Sequence, residues 1–186
     1  MKQIKKLFFV ATAIMFVNAS FAQTKKTVMV GGAAMYPAKN IVENAVNSKD
    51  HTTLVAAVKA AGLVETLQSA GPFTVFAPTN KAFEMLPSGT VDNLLMAANK
   101  PALTTVLTYH VIAGTYSSAK LAKLIKAGNG TATLKTVAGK NLSVMMEGKK
   151  IAIKDENGSV AYVTIKDVNQ SNGVIHVIDH VLLPKM

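Results

Sequence analysis

Four histidines and ten carboxylates are the groups this 186-residue chain offers for metal binding or acid–base catalysis. Two of the histidines, His176 and His180, stand four residues apart with Asp179 beside the second. On a helix that spacing sets two ligands on one face. Gly173 in front, Pro184 behind and the β-branched residues between them predict a strand instead. On a strand, residues four apart share a face but lie about 13 Å apart at ~3.3 Å per residue, too far to grip one ion. No metal site is expected, and His176 and His180 read as core or edge histidines with hydrogen-bond partners. Asp179 falls on the opposite face.

A second pair, Tyr109 and His110, lies inside the apolar run Val106–Ile112. Their surroundings predict packing between apolar neighbours with both polar tips hydrogen-bonded. A Tyr-His pair without a positioned Ser, Cys or paired carboxylate is no catalytic constellation. Thr79 lacks an activating base and reads as a helix cap, not a nucleophile. The chain has no phosphate-cradling glycine loop, Walker or Rossmann pattern or nucleophile elbow, and its acids are too dispersed for a calcium loop. Neither an enzyme nor a cofactor is expected.

These residues must be positioned by elements that the pattern predicts in order. Helical periodicity begins at Asn40 with Ile41, Val42 and Ala45 and continues through Leu54, Val55, Val58 and Ala61. Asp50 or Thr52 is placed to cap the second helix and Gly62 to end it. Phe73–Ala77 predicts a buried strand, stopped by Pro78, with Thr79 or Asn80 capping a helix that carries Phe83. Two further helices follow, from Thr90 and from Pro101. From Ala132 the period changes to two, with turns at Gly139-Lys140, Gly148-Lys149 and Asn157-Gly158. Helices in the first half and a β-meander in the second predict one α+β domain.

The ends and the charge bound its setting. Residues 1–22 carry Lys2, Lys5 and Lys6, a short apolar run from Leu7 to Val17 and the small-residue positions of Ser20-Phe21-Ala22, a bacterial-type signal peptide too short to span a membrane. No other long apolar run follows, so the mature chain is expected to lack a transmembrane segment and to reside in the periplasm or outside the cell. Residues 23–39, with Gly31-Gly32 at their centre, read as a flexible leader, and residues 40–184 as the folded domain. With no cysteine, a mature chain of about 164 residues has to be held by its core alone. Net charge is +10, about +7 once the signal lysines are removed, and all twenty basic residues are lysine. The absence of arginine and tryptophan, with aromatics at 6%, excludes the usual equipment of nucleic-acid recognition.

The segment FTVFAPTNKAF (Phe73–Phe83), the run TYHVIAG (Thr108–Gly114) and NGVIHVIDHVLLP (Asn172–Pro184) resemble the signature segments of the fasciclin domain family. The resemblance covers roughly Asn40 to Pro184. It implies a compact β-sandwich or wedge of about seven strands decorated by several helices, present here as a single copy where many members carry tandem copies. It also implies extracellular adhesion to matrix, polysaccharide or a cell-surface protein, with Tyr109 and His110 as candidate contacts carried over from the family's Tyr-His segment. A lone copy limits avidity. The rival expectation is charge-driven association with envelope or anionic polysaccharide through lysines such as Lys120, Lys123 and Lys126. These recur at three-residue intervals and drift around a helix. The two expectations differ in salt sensitivity, since charged contacts fade once screening falls to ~8 Å.

Overall fold

The computed structural model describes residues 26–185. The signal peptide expected over 1–22 lies outside them. Within residues 23–39, read as a flexible leader, β1 (Val28–Val30) and β2 (Ala33–Met35) form an antiparallel hairpin. Gly31 and Gly32 take φ of +56° and +77°, the left-handed pair that closes a two-residue hairpin turn. Val30 and Met35 then bury their side chains in the main core, and the Asn44 side chain holds both Tyr36 N–H and C=O at 2.9 and 2.8 Å.

Seven helices follow or punctuate the sheet. Asn40 opens α1 (Ile41–Ala45) with a capping box, its Oδ1 accepting from Glu43 N and its N–H donating to Glu43. Neither Asp50 nor Thr52 caps α2 (Thr52–Ala61). A 3-10 turn over Lys49–His51 precedes it, and the first free N–H, that of Thr53, donates to Asn80 Oδ1 at 3.0 Å. The cap thus comes from 27 residues downstream. Gly62, at φ +75°, ends α2, a conformation that excludes most side chains. The short α3 (Val64–Gln68) leads into β3 (Phe73–Pro78). Thr79 caps α4 (Asn80–Glu84) by accepting from Ala82 N. Then come α5 (Thr90–Leu95), α6 (Lys100–Tyr109) with Pro101 in its first turn, β4 (Val111–Ala113) and α7 (Ser118–Ala127).

The meander is β5 (Thr131–Lys135), β6 (Asn141–Glu147), β7 (Lys150–Lys154), β8 (Val160–Gln170) and β9 (Gly173–Ile178). Together with β3 and β4 these make a seven-stranded sheet in the order β4-β3-β9-β8-β7-β6-β5, antiparallel except for the β3–β9 pair. The eleven-residue β8 serves both halves. Val160–Tyr162 pairs with β7 and Val163–Gln170 with β9, with register shifts on either side of Ile165. Such irregularities bend a strand and raise its twist, so the two halves fold over one another. Phe76, Ile112 and Ile178 from one half meet Leu142, Val144 and Ile153 from the other in a shared core, with Leu121 and Ile125 of α7 completing it. A second core lies on the opposite face of β3 and β9, where Val75, Ala77, Ile175 and Val177 are covered by α1, α2, α3, α6 and the hairpin. The chain is therefore an α+β sandwich or wedge with its helices mostly in the first half.

Candidate functional site

Tyr109 and His110 are core residues, with 0% and 3% exposure respectively. Both side chains, expected as candidate adhesion contacts, are thus held inside the fold and not presented at its surface. Each is a clamp. The Tyr109 hydroxyl donates to Asn141 C=O at 2.8 Å and accepts from Glu156 N–H at 3.1 Å, tying the end of α6 to β6 and the β7–β8 turn. Its pKa is pushed up to about 12, chiefly by burial. His110 donates from Nδ1 to Val106 C=O at 2.8 Å and accepts at Nε2 from Leu182 N–H at 3.0 Å. Those partners require the neutral ring, and burial lowers its pKa to about 4.

His176 and His180 are likewise kept apart. His176 is fully buried in β9, and its Nε2–H donates to Tyr116 C=O at 2.8 Å while Nδ1 accepts from Asp167 N–H. His180 lies beyond the strand end and pairs with Asp179 at 2.9 Å. Among the described residues no three His, Asp or Glu side chains converge on a common point, and no helix is long and apolar enough to cross a membrane.

The exposed cationic surface is built around α7. Leu121 and Ile125 bury one side of this helix, which a strip of apolar residues at three- and four-residue spacing dictates. Its start is held by Asp167. That residue sits at the irregular part of β8 with φ +58°, accepts Ser118 N–H at Oδ1 at 2.7 Å, and accepts the Ser118 hydroxyl at Oδ2. A carboxylate at a helix N-terminus is favourable to both. His176 and Asp167 thus fix the segment from Tyr116 to Ser118, and with it the direction of α7.

Beside α7 runs an open groove of about 380 Å³, lined by Ala119 and Ala122 of the helix and by Met146, Lys149, Lys150, Ile151, Thr164 and Lys166 of the sheet and its β6–β7 turn. Lys123 and Lys126 follow Ala119 and Ala122 by four residues and so share their helix face. Lys120 does not join them. Its Nζ lies 4.1 Å from the Tyr116 ring centre and donates to Thr115 C=O. Among the described residues, side-chain ion pairs within 4.0 Å are Lys140–Glu156 and His180–Asp179 alone, so no groove lysine has a carboxylate within that distance, although Lys150 stands opposite Glu147 in the β6–β7 pairing with its Nζ 5.6 Å from the Tyr162 ring centre. The flanking carboxylates are engaged elsewhere, Asp167 with Ser118 and Glu147 with the Tyr162 hydroxyl at 2.6 Å. Sequence reasoning reached Lys123 and Lys126 but missed Lys149, Lys150 and Lys166. The doubled lysine after Gly148 and the outward alternation of Thr164 and Lys166 were the available signals.

The fold and the signature segments have counterparts among known proteins. The Fasciclin domain family model matches residues 49–184. Protein sll1483 of Synechocystis sp. is 45% identical over 168 residues, which is 90% of this chain and 86% of that protein. Immunogenic protein MPB70 of Mycobacterium bovis is 37% identical over 143 residues, covering 74% of this chain and 65% of its own length. A solved FAS1 domain pair from the insect cell adhesion molecule Fasciclin I superposes with a TM-score of 0.69 over 78% of this chain and 51% of that one, at 23% identity. That likeness is one of fold.

Proposed function

The chain belongs to the fasciclin domain family, an adhesion-type family, and from that premise we propose that it is an exported, non-catalytic surface-binding module holding an anionic polysaccharide along the α7–β7–β8 groove. The observation that carries this reading is the convergence of Lys149, Lys150 and Lys166 on one groove without a carboxylate partner within 4.0 Å. Lysine is a point charge that suits sulfate or carboxylate groups on a flexible polymer better than bidentate recognition of one rigid ligand. Lys123 and Lys126 lengthen the charged track along the same helix face. Export to the periplasm or beyond is supported by the charged start, apolar run and small residues of positions 1–22.

A second reading has its own observation. Met85 and Met96 are 61% and 58% exposed at the two ends of the α4–α5 region, and α5 buries none of its residues. Apolar contact with a cell-surface protein would use that side and would resist salt.

The deciding experiment measures binding of the purified protein to acidic polysaccharide, neutral polysaccharide and matrix proteins at physiological and at high salt. A Lys149→Ala/Lys150→Ala/Lys166→Ala variant runs beside it. Binding to acidic polymer that falls with salt and is lost in the folded triple variant supports the groove. Salt-resistant binding to a protein, unchanged in the triple variant and lost in Met85→Ser/Met96→Ser, replaces it with the second reading.

A further inference from the structure

Between the helical layer and the sheet lies an apolar cavity of about 90 Å³, bounded by the hairpin, α1, α2 and α3 on one side and by β3 and β9 on the other. Its walls are almost wholly hydrocarbon, with Ile41, Val58, Leu67, Val75 and Ile175 among them. Protein interiors are ordinarily packed to crystal-like density with few voids larger than a water molecule. An empty space of this size forfeits dispersion contacts along its whole lining. Apolar cavities of comparable kind, at about 150 Å³, stay dry and take up benzene or xenon, so this one has room for a guest of a few carbon atoms.

One wall residue is polar in an unusual way. His51 is 3% exposed, its Nδ1 is engaged with Ser48 Oγ at 2.8 Å, and its Nε2 is the single buried side-chain nitrogen or oxygen among the described residues that falls outside full hydrogen-bond geometry, with no more than a loose contact between the ring and the Ala77 backbone. A buried polar atom left unsatisfied is costly and uncommon in native proteins. Depending on which of His51 and Ser48 gives the proton between them, Nε2 is either a donor or an acceptor. A hydroxyl satisfies both cases. The lining reaches solvent at Lys59 and Thr66, at the junction of α2 and α3, which supplies a route in.

We infer that this cavity is a binding site for a small apolar molecule carrying a single hydroxyl, of the class of short-chain alcohols, with the hydrocarbon against Val58, Leu67, Val75 and Ile175 and the hydroxyl on His51 Nε2.

The test uses xenon, 1-butanol and 1-chlorobutane with methyl-labelled purified protein followed by NMR. Xenon and both butyl probes are expected to give saturable shifts confined to the methyls of Val58, Leu67, Val75 and Ile175. Only 1-butanol is expected to move the His51 Nε2 resonance. His51→Phe should weaken 1-butanol about fivefold, the worth of one hydrogen bond, and leave xenon binding in place. Ala45→Leu, which places a larger side chain in the wall, should abolish the shifts in a folded protein, and Ala77→Val serves if Ala45→Leu does not fold. Shifts that are absent, that scatter over the surface or that persist in the filled variants would overturn the site. Equal loss of xenon and 1-butanol in His51→Phe would overturn the role given to His51.

Discussion

The backbone N–H of Leu182 ends on Nε2 of His110 at 3.0 Å, joining residues 72 positions apart through one ring nitrogen. Because Nδ1 is committed to Val106 C=O, a proton on Nε2 would leave two N–H groups facing each other inside the core.

Stability is therefore expected to depend on pH in a defined window. An unfolded histidine titrates near 6.5, whereas His110 in the folded protein does so at about 4. Between those values the unfolded chain holds more protons, so stability is full above pH 6.5 and falls as pH drops toward 4. The loss attributable to His110 is on the order of 3 kcal/mol. Burial lowers the pKa of His176 and His51 as well, and they add in the same direction. Urea midpoints at pH 7.5 and pH 4.5 read the loss directly. His110→Gln should be less stable at pH 7.5 and show a shallower slope, and an unchanged slope would reject the assignment.

Asn172 has one of the heaviest structural duties in the signature segments. Its Oδ1 accepts from Ile41 N–H at the start of α1, and its Nδ2 donates to Leu67 and Ser69 carbonyls at the end of α3. Asn172→Ala strands three buried or half-buried backbone groups and is expected to lower stability by about 3 kcal/mol. Thermal unfolding of the variant checks this, and a loss below about 1 kcal/mol would show that water replaces the side chain.

Gly173 is required by proximity, not by its own backbone angle. A Cβ there would stand 2.1 Å from Phe73 O, at the point where β9 begins to pair with β3. Gly173→Ala is expected to part these strands locally and cost about 2 kcal/mol or more. Chemical denaturation would read that loss, and faster amide exchange at Val75 and Ile175 would localise it.

Asp167 separates the placement of the groove from its charge. Asp167→Ala removes the anchor of α7 while leaving all the groove lysines present. It is expected to cost about 1 kcal/mol of stability through the Ser118 N–H left without its partner, while the Ser117 side chain goes on capping Lys120 N–H. It should also weaken binding to acidic polymer, although the variant is one unit more positive. Binding that instead strengthens in proportion to charge would mean that the geometry of the groove is immaterial.

Much of this was legible where the signal is local. Phe73–Phe83 folds as its residues dictate: a continuously buried apolar strand, a proline stop and a threonine cap all act within eleven positions. The turns at Gly139, Gly148 and Asn157-Gly158 are equally local. The hairpin Val28–Met35 was hidden because Gly31-Gly32 reads as slack until its flanking Val30 and Met35 find a core. The run from Val106 to Ile112 read as one packed segment, whereas α6 ends at Tyr109 and β4 starts at Val111. The lysine spacing placed Lys120, Lys123 and Lys126 around a helix, but its buried side, Leu121 and Ile125, is too short a strip to stand out among them. The groove was illegible for a different reason. It exists only where the irregularity in β8 turns Asp167 toward Ser118, a contact across 49 residues that no local pattern encodes.

The parallel pairing of β3 with β9 begins with Phe73 opposite Gly173 and sits inside the sheet, with β4 on one side and β8 on the other. A chain emerging N-terminus first can form its hairpin, its helices and the β3–β4 pair, but β9 is missing until about a hundred residues after β3. Long-range pairing of this kind is intrinsically slow, and meanwhile β3 and the second half of β8 each present an open edge to other chains. In this topology β9 (Gly173–Ile178) decides when the domain closes, and a chain cut short before Gly173 has no partner for the inner edge of β3.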